Sequence, residues 1–570
     1  MRLLRQIFGL PVAAMIAASV ALSVVAVPAS AQETIFDPEN PAAEDEPDDE
    51  VDDGDAMIID DPERPDLPEE ETLQGDDAST AAPGFDNTEW ELNYELGTLI
   101  DPRWGPTGQD ALEWVGGLGM GIRHEPSEQT RIVVSGRFQY WAGSGREFDE
   151  WRTLYEPRID RAYIIHRTGP WSLALGQMRN SWGSTDIIRP GDVIDPVDMR
   201  APMTSDGVGT GLGQLSATAS YSGSDWSLQA LVVPFFENNR VTLFGRDTAL
   251  AHERNPLVAE QLPFLLLAQD LIHPSIQQDI QPFFQSTQRP HHLPKNASGG
   301  LRGTWTVSGF DLGLGVFYGW DRTPEVFLDD DLRQLLVLIA EDGQIFEDYD
   351  IFGFGTRNPE AFEHSQNLSE KAEAGETIFE SKFRRRATFL ADFARYVGPI
   401  GVRADVAFSP RRVFYTTDFD AVQRATLFSA LGLSYERLLD GVRPLALTIE
   451  GFWLHPFSTE SPIHQALVPD GRGGDEDDEL LLFEEGYYGV AGASNWAMGW
   501  WDLELIFGAI ASISPGDLMG RFAIERPWAR GLRTTVGVNF FLGPDPEEQL
   551  TPGGLWAHND RIHLGISGQF

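Results

Sequence analysis

The feature that most constrains this chain is an alternation of apolar and polar residues with period two, repeated from residue 89 to the last residue. Side chains of an extended strand point to opposite faces in turn, so such text describes strands that are apolar on one side and polar on the other. "EWELNYELG" sets Trp90, Leu92, Tyr94 and Leu96 against Glu91, Asn93 and Glu95. "RIVVSGRFQY" sets Ile132, Val134, Phe138 and Tyr140 against Arg137 and Gln139. The pattern returns in "LRGTWTVS", "IGVRADVAF" and "LRTTVGVNF", and at the end of the chain in "RIHLGISGQF". Eighteen such segments begin near 89, 113, 131, 158, 171, 213, 225, 298, 311, 385, 399, 424, 443, 487, 501, 517, 531 and 561.

The connections sort by parity. The even-numbered ones ("HEPSEQT", "RTGP", "SGSD", "VSGF", "YVGP", "LLDGV", "SNWAMG", "RPWARG") are compact and carry turn residues. Among the odd-numbered ones, 179–212, 237–297, 321–384 and 456–486 are long, and "SISPG" (512–516) is the short one. A soluble β-sandwich has no reason to separate short and long loops in this way, whereas an outer-membrane barrel has short turns at one rim and long loops at the other. Aromatic residues gather at strand ends: Trp90, Trp171, Tyr221, Trp226, Tyr396, Tyr435, Trp501 and Phe570 near the short turns, and Tyr140, Trp320, Trp453 and Phe540 toward the other rim. Amphipathic rings favour the headgroup level of a bilayer. The expected fold is therefore all-β, a transmembrane antiparallel barrel of about 18 strands over residues 89–570, with sixteen as the alternative count.

No stretch after residue 32 approaches the roughly 18 unbroken apolar residues of a membrane helix, a test to which barrels are blind. The first 31 residues carry Arg2 and Arg5, an apolar stretch from Ile7, and Ala29-Ser30-Ala31, the layout of a secretory signal peptide. Residues 32–88 form an acidic leader. Within 33–80 there are 21 Asp and Glu against Arg64 alone, a composition too polar to bury a core and expected to be disordered. The chain has no cysteine, which excludes disulfides and thiol metal sites, and its net charge of −46 without a basic stripe argues against nucleic acid.

A lipid-facing charge costs about 2–4 kcal/mol at the bilayer midplane, so the polar faces of the strands must look inward. The expected pore-lining residues are Glu91, Glu95, Arg137, Gln139, Arg302, Asp392, Arg403, Asp405, Glu450 and Arg533. Both signs occur, which would set a transverse field across a water-filled lumen. A strand that closes a barrel cannot fray, because an open edge in lipid leaves backbone groups unpaired. That accounts for the ordered C-terminal segment.

The third outward connection reads "LALGQMRNSWGSTDIIRPGDVIDPVDMRAP". With Gly176, Gln177, Trp182, Gly183, Asp186, Asp195, Pro196 and Asp198 it resembles a family of proteobacterial outer-membrane barrels that carry a "GxQ…WGxxD…NPxD"-like run after an early strand. Asp192 and Arg200 belong to the same stretch. The architecture resembles that of general porins and of alginate-export barrels, and in general porins the third loop folds inward. The resemblance thus implies a constriction or rim element over 179–205. The terminal Phe570 resembles the C-terminal aromatic signal read by the barrel assembly machinery, which implies that machinery as a partner.

The expected function is passive passage of small polar or amphipathic solutes. A surface barrel plugged by its loops, or a carrier of hydrophobic compounds, are the alternatives. No nucleophile elbow or convergent histidine set points to an enzyme, and no cofactor is expected. "RPHHLP" (His291, His292) and "DEDDELLLFEE" are weak metal signals, better read as solvated loops beside lipopolysaccharide. The oligomeric state, monomer or homotrimer, is left open by the sequence.

Overall fold

In the computed structural model the described residues are 88–570 apart from 101–111, 145–150, 199–209, 238, 241–293, 323–324, 342–356, 375, 377–378, 417–420, 440–442, 469–479, 481–485, 500, 529–530, 545–550, 557–558 and 570. The leader, the His291–His292 pair, the acidic run after 474, Arg200 and Phe570 lie outside them.

Eighteen strands form one antiparallel sheet. In chain order they are β1 (Thr88–Ile100), β2 (Leu112–Ser127), β3 (Thr130–Ser144), β4 (Trp151–Thr168), β5 (Trp171–Met178) and β6 (Gln214–Ser222). Then come β7 (Trp226–Val233), β8 (Ser298–Val307), β9 (Phe310–Trp320), β10 (Arg385–Val397), β11 (Ile400–Tyr415) and β12 (Ala421–Leu439). The last six are β13 (Arg443–Pro456), β14 (Tyr487–Met498), β15 (Leu503–Ser514), β16 (Leu518–Pro527), β17 (Leu532–Leu542) and β18 (Arg561–Gln569). Each strand pairs with its neighbours in sequence, and β18 pairs back onto β1 from Asn93↔Gln569 to Ile100↔Ile562. The sheet closes on itself, which is the eighteen-stranded barrel expected from the alternation.

Tight turns join the strands at one rim. Ser308 and Gly309, with φ of 54° and 75°, form the two-residue link between β8 and β9. A positive φ at both central positions matches the twist of a hairpin, and glycine adopts it without steric cost. At the other rim the long connection after β9 carries two helices, α1 (Asp330–Glu341) and α2 (Pro359–Ala374), with a ribbon of Glu325–Leu328 against Phe379–Lys382. Against the desolvation of its site, Asp331 in the first turn of α1 accepts from Asn367, Lys371 and His364 of α2, which holds its carboxyl below the usual range.

The faces separate as the alternation requires. On β13, Ile449 is 60% exposed and its neighbour Glu450 1%. Trp90, Leu96, Leu175, Leu314 and Leu431 share the outward face, while Asp405, Gln214 and Thr388 are buried on the inward one. At the short-turn rim Trp171 meets Tyr221 edge-on and Tyr221 leans on Trp226, with ring centroids 5.0 and 5.5 Å apart.

Two details differ from the sequence reading. β4 begins at Trp151, seven residues before the expected start, because a bulge opposite Ser135/Gly136 shifts the register. Tyr155 and Ile159 point outward before it and Ile164 after it, so no single alternation runs through the strand. Two more connections at the long-loop rim are short, because β3 extends to Ser144 with β4 starting at Trp151, and β11 extends to Tyr415 with β12 starting at Ala421.

The facing directions make a direct test. Ile449→Arg should lower refolded stability in vesicles by about 2–4 kcal/mol, and Thr448→Arg, one residue away on the inner face, by under about 1 kcal/mol. Equal shifts in the urea midpoints would refute the assignment of faces.

Candidate solute passage

Of the connection between β5 and β6, residues 179–198 lie inside the barrel. This segment leaves Met178 and runs along the inner wall, where side chains of the barrel hold it at several points. The Asp405 carboxylate on β11 accepts from the Ser184 amide (2.8 Å) and hydroxyl (2.9 Å) and from the Thr185 amide (3.3 Å) and hydroxyl (2.6 Å). Glu450 on β13 accepts from three consecutive amides, those of Asp186 (2.6 Å), Ile187 (3.1 Å) and Ile188 (2.6 Å). Hydrogen bonds to an ionised group are worth about 1.5–3 kcal/mol each. The two carboxylates therefore hold the segment far more firmly than a solvated loop would be held.

Glycine makes the approach possible. Gly183 has φ of 125°, and a Cβ there would collide with the Asp405 carboxylate. Trp182 lies over Gly300, where an added Cβ would come within 2.6 Å of the indole. The Trp182 Nε1–H donates to Gln229 Oε1 on β7 (2.8 Å), and the ring meets Phe317 edge-on at 6.4 Å. Trp182, Ile194, Leu231, Val233, Phe317, Leu390 and Ala407 form an apolar cluster inside the barrel.

The expected site residues fall into three groups. Arg403 pairs with Asp186 of the loop, and Asp405 and Glu450 carry the anchors just described. Arg302 on β8 and Asp392 on β10 pair with each other at 2.8 Å across the intervening β9, where Gly315 and Gly313 stand opposite them. The remaining five lie on β1, β3 and β17. Glu91 accepts from Asn93 (3.1 Å) and Gln569 (3.2 Å), Arg137 lies 3.5 Å from Asp160, and Glu95 and Gln139 occupy inward positions on β1 and β3. Arg533, with its side chain 51% exposed, lies between Glu504 (3.6 Å) and Glu525 (3.5 Å).

Within the loop motif, Asp195 accepts from the Asn180 amide, the Asn180 side chain (3.4 Å) and Gln214 Nε2 (3.0 Å). Burial, reinforced by neighbouring Asp192, raises its pKa to about 7 against the opposing pull of the Asn180 amide. Asp192 closes a turn with the Arg189 carbonyl (3.1 Å), and the Pro196 carbonyl accepts from the Leu212 amide (2.7 Å). Asp198 stands 3.8 Å from Arg158. Sequence reasoning missed Gln229, Asn180, Gln214, Arg158 and Arg322. Gln229 could have been found by alternation with Leu228. The others are fixed by partners far away in the chain.

No family model matches the chain, and no curated protein matches its sequence. Among solved structures it is similar to Salmonella typhi OmpF in complex with daunomycin (TM-score 0.35, 8% identity), over 85% of this chain and 97% of that one. It is also similar to Pseudomonas putida OprB at high pH (TM-score 0.35, 9% identity, 85% and 94% covered). A triple mutant of the Rhodopseudomonas blastica porin scores 0.32 at 10% identity, over 85% of this chain and all of that one. Likeness at this level adds nothing to the fold already read from the strand register.

Two outcomes follow from the anchors. Glu450→Ala and Asp405→Ala should each raise the rate of chymotryptic cleavage after Trp182 in detergent-solubilised protein at least tenfold, from the loss of about 1.4 kcal/mol or more. An unchanged rate would mean that the carboxylates do not restrain the loop. The raised Asp195 makes the folded state keep a proton that the unfolded chain has released between about pH 4 and 7. Stability from this group therefore falls as pH rises through that window and levels off above it. Asp195→Asn should gain on the native chain in urea midpoint between pH 5 and 8, and a constant difference would contradict the burial argument.

Proposed function

We propose that this protein is an outer-membrane channel for passive diffusion of small polar or amphipathic solutes, with residues 179–198 setting its narrowest part. The observation that carries this reading is the segment held on the inner wall by Asp405, Glu450 and Gln229. It takes up lumen on the β7–β13 side and leaves the charged faces of β1, β3 and β15–β17 opposite. Eighteen strands enclose more space than wall side chains fill, so a water path beside the loop is supported. The short-turn rim would face the periplasm, the long loops would meet lipopolysaccharide, and the assembly machinery would read the terminal Phe570.

One observation favours a second reading. The apolar cluster around Trp182 and Ile194 lies inside the barrel and excludes water from that sector. A loop-plugged surface barrel would use the same packing.

Single-channel conductance in planar bilayers separates the two, since a plugged barrel passes no ion current. The charges left to act on a solute are those that do not pair with the loop directly, and Arg403 is not among them because it pairs with Asp186. Arg137→Glu combined with Arg533→Glu should shift the reversal potential in a KCl gradient toward cations. An unmoved potential would place those arginines off the conduction path.

A further inference from the structure

A pocket lies between the inward loop and the long-loop half of the wall. Arg189 enters it from the loop, Arg322 from the connection after β9, Arg386 from β10 and Arg412 from β11. Four guanidinium groups from four elements face Asp192, Asp195 and Asp321. Arg386 pairs with Asp321 at 3.1 Å and also acts electrostatically on both Arg322 and Arg412. Like charges gathered in a partly dry site repel, and burying them is costly without full compensation.

Arg322 shows where the compensation is incomplete. Its two terminal nitrogens donate to the Glu237 and Ile194 carbonyls, which fix the guanidinium plane. Its Nε is buried without a hydrogen-bond partner. Hydroxyl groups line the wall beside the arginines, with Thr388 Oγ1 and Ser409 Oγ 3.2 Å apart and Thr426 next to them. Rigid guanidinium groups with neighbouring hydroxyls suit the planar or tetrahedral oxygens of a carboxylate or phosphate, which guanidinium binds through paired hydrogen bonds.

We propose that this pocket is an oxyanion subsite that takes one carboxylate or phosphate group of a small solute held between the loop and the wall. It deepens the channel reading and rests on it for the route by which the anion arrives. The local charge supports the sign. Burial raises the carboxyl groups of Asp192 and Asp195, the latter to about 7, while Arg322, lowered to about 10 by burial, stays charged at neutral pH. The four arginines thus face Asp192, Asp195, Asp321 and, beside Arg322, Glu237, and burial disfavours the negative charge of the first two.

The test is isothermal titration of the full chain, purified in detergent at pH 7, with inorganic phosphate, with succinate, and with ribose as the uncharged control. Saturable binding of either anion but not of ribose is expected. Arg386→Gln combined with Arg412→Gln should weaken it about tenfold or more, the effect of losing a charge-assisted hydrogen bond. Arg189→Gln, on the loop side, should weaken it in the same direction and serves if the double variant loses the heat-modifiable gel mobility of a folded barrel. No saturable binding by the native chain, or equal affinity in folded variants, overturns the subsite. Conductance of the same preparation in KCl reports separately on the channel. A conducting barrel that binds no anion removes the subsite alone, and a silent barrel that binds phosphate removes the channel alone.

Discussion

Every backbone N–H and C=O of a lipid-embedded segment must find a partner within the protein, because hydrocarbon offers none. Each failure costs several kcal/mol. That demand turns eighteen weakly apolar segments into one closed sheet and makes the β1–β18 pairing from Asn93↔Gln569 to Ile100↔Ile562 indispensable. It also fixes which way every side chain points. With Ile449 on the outward face, Glu450 must look inward, and what the inward residues can do follows from that.

The inward residues divide their work unequally. On the β7–β13 side the charged groups are engaged in holding a chain segment: Asp405 and Glu450 by accepting amides and hydroxyls, Arg403 by pairing with Asp186. On the opposite side Arg533 and Arg137 keep much of their side chains accessible. A carboxylate on a barrel wall is thus either a bracket or a lining group, and the difference lies in whether a loop comes within reach of it.

That division marks the limit of what the sequence discloses. Period two is a local property, so the eighteen strands, their facing directions and the sorting of short and long connections were legible from residues such as Trp90–Glu91–Leu92. The early start of β4 was not, since the bulge opposite Ser135/Gly136 changes the phase within the strand. Nor were the brackets. Asp405 and Thr185 lie 220 residues apart, and Glu450 and Asp186 264. Their meeting depends on the path of the loop through three dimensions. The unusual residues of that loop, Trp182 and Gly183, did advertise that something close-packed occurs there.

The wall is not equally tall all round. β5 has 8 residues and pairs with β4 over Ala162–Thr168, whereas β4 continues upward to Trp151. Above that pairing the ladder is replaced by substitutes: the Gln177 side chain donates to the Ile159 carbonyl (2.6 Å) and the Gly213 carbonyl (3.3 Å), and Arg240 pairs with Glu156. The loop springs from the floor of this notch, which is why residues 179–198 enter the lumen sideways. Wall and loop share one seam there, so widening the passage and loosening the barrel's own stave become a single mechanical event.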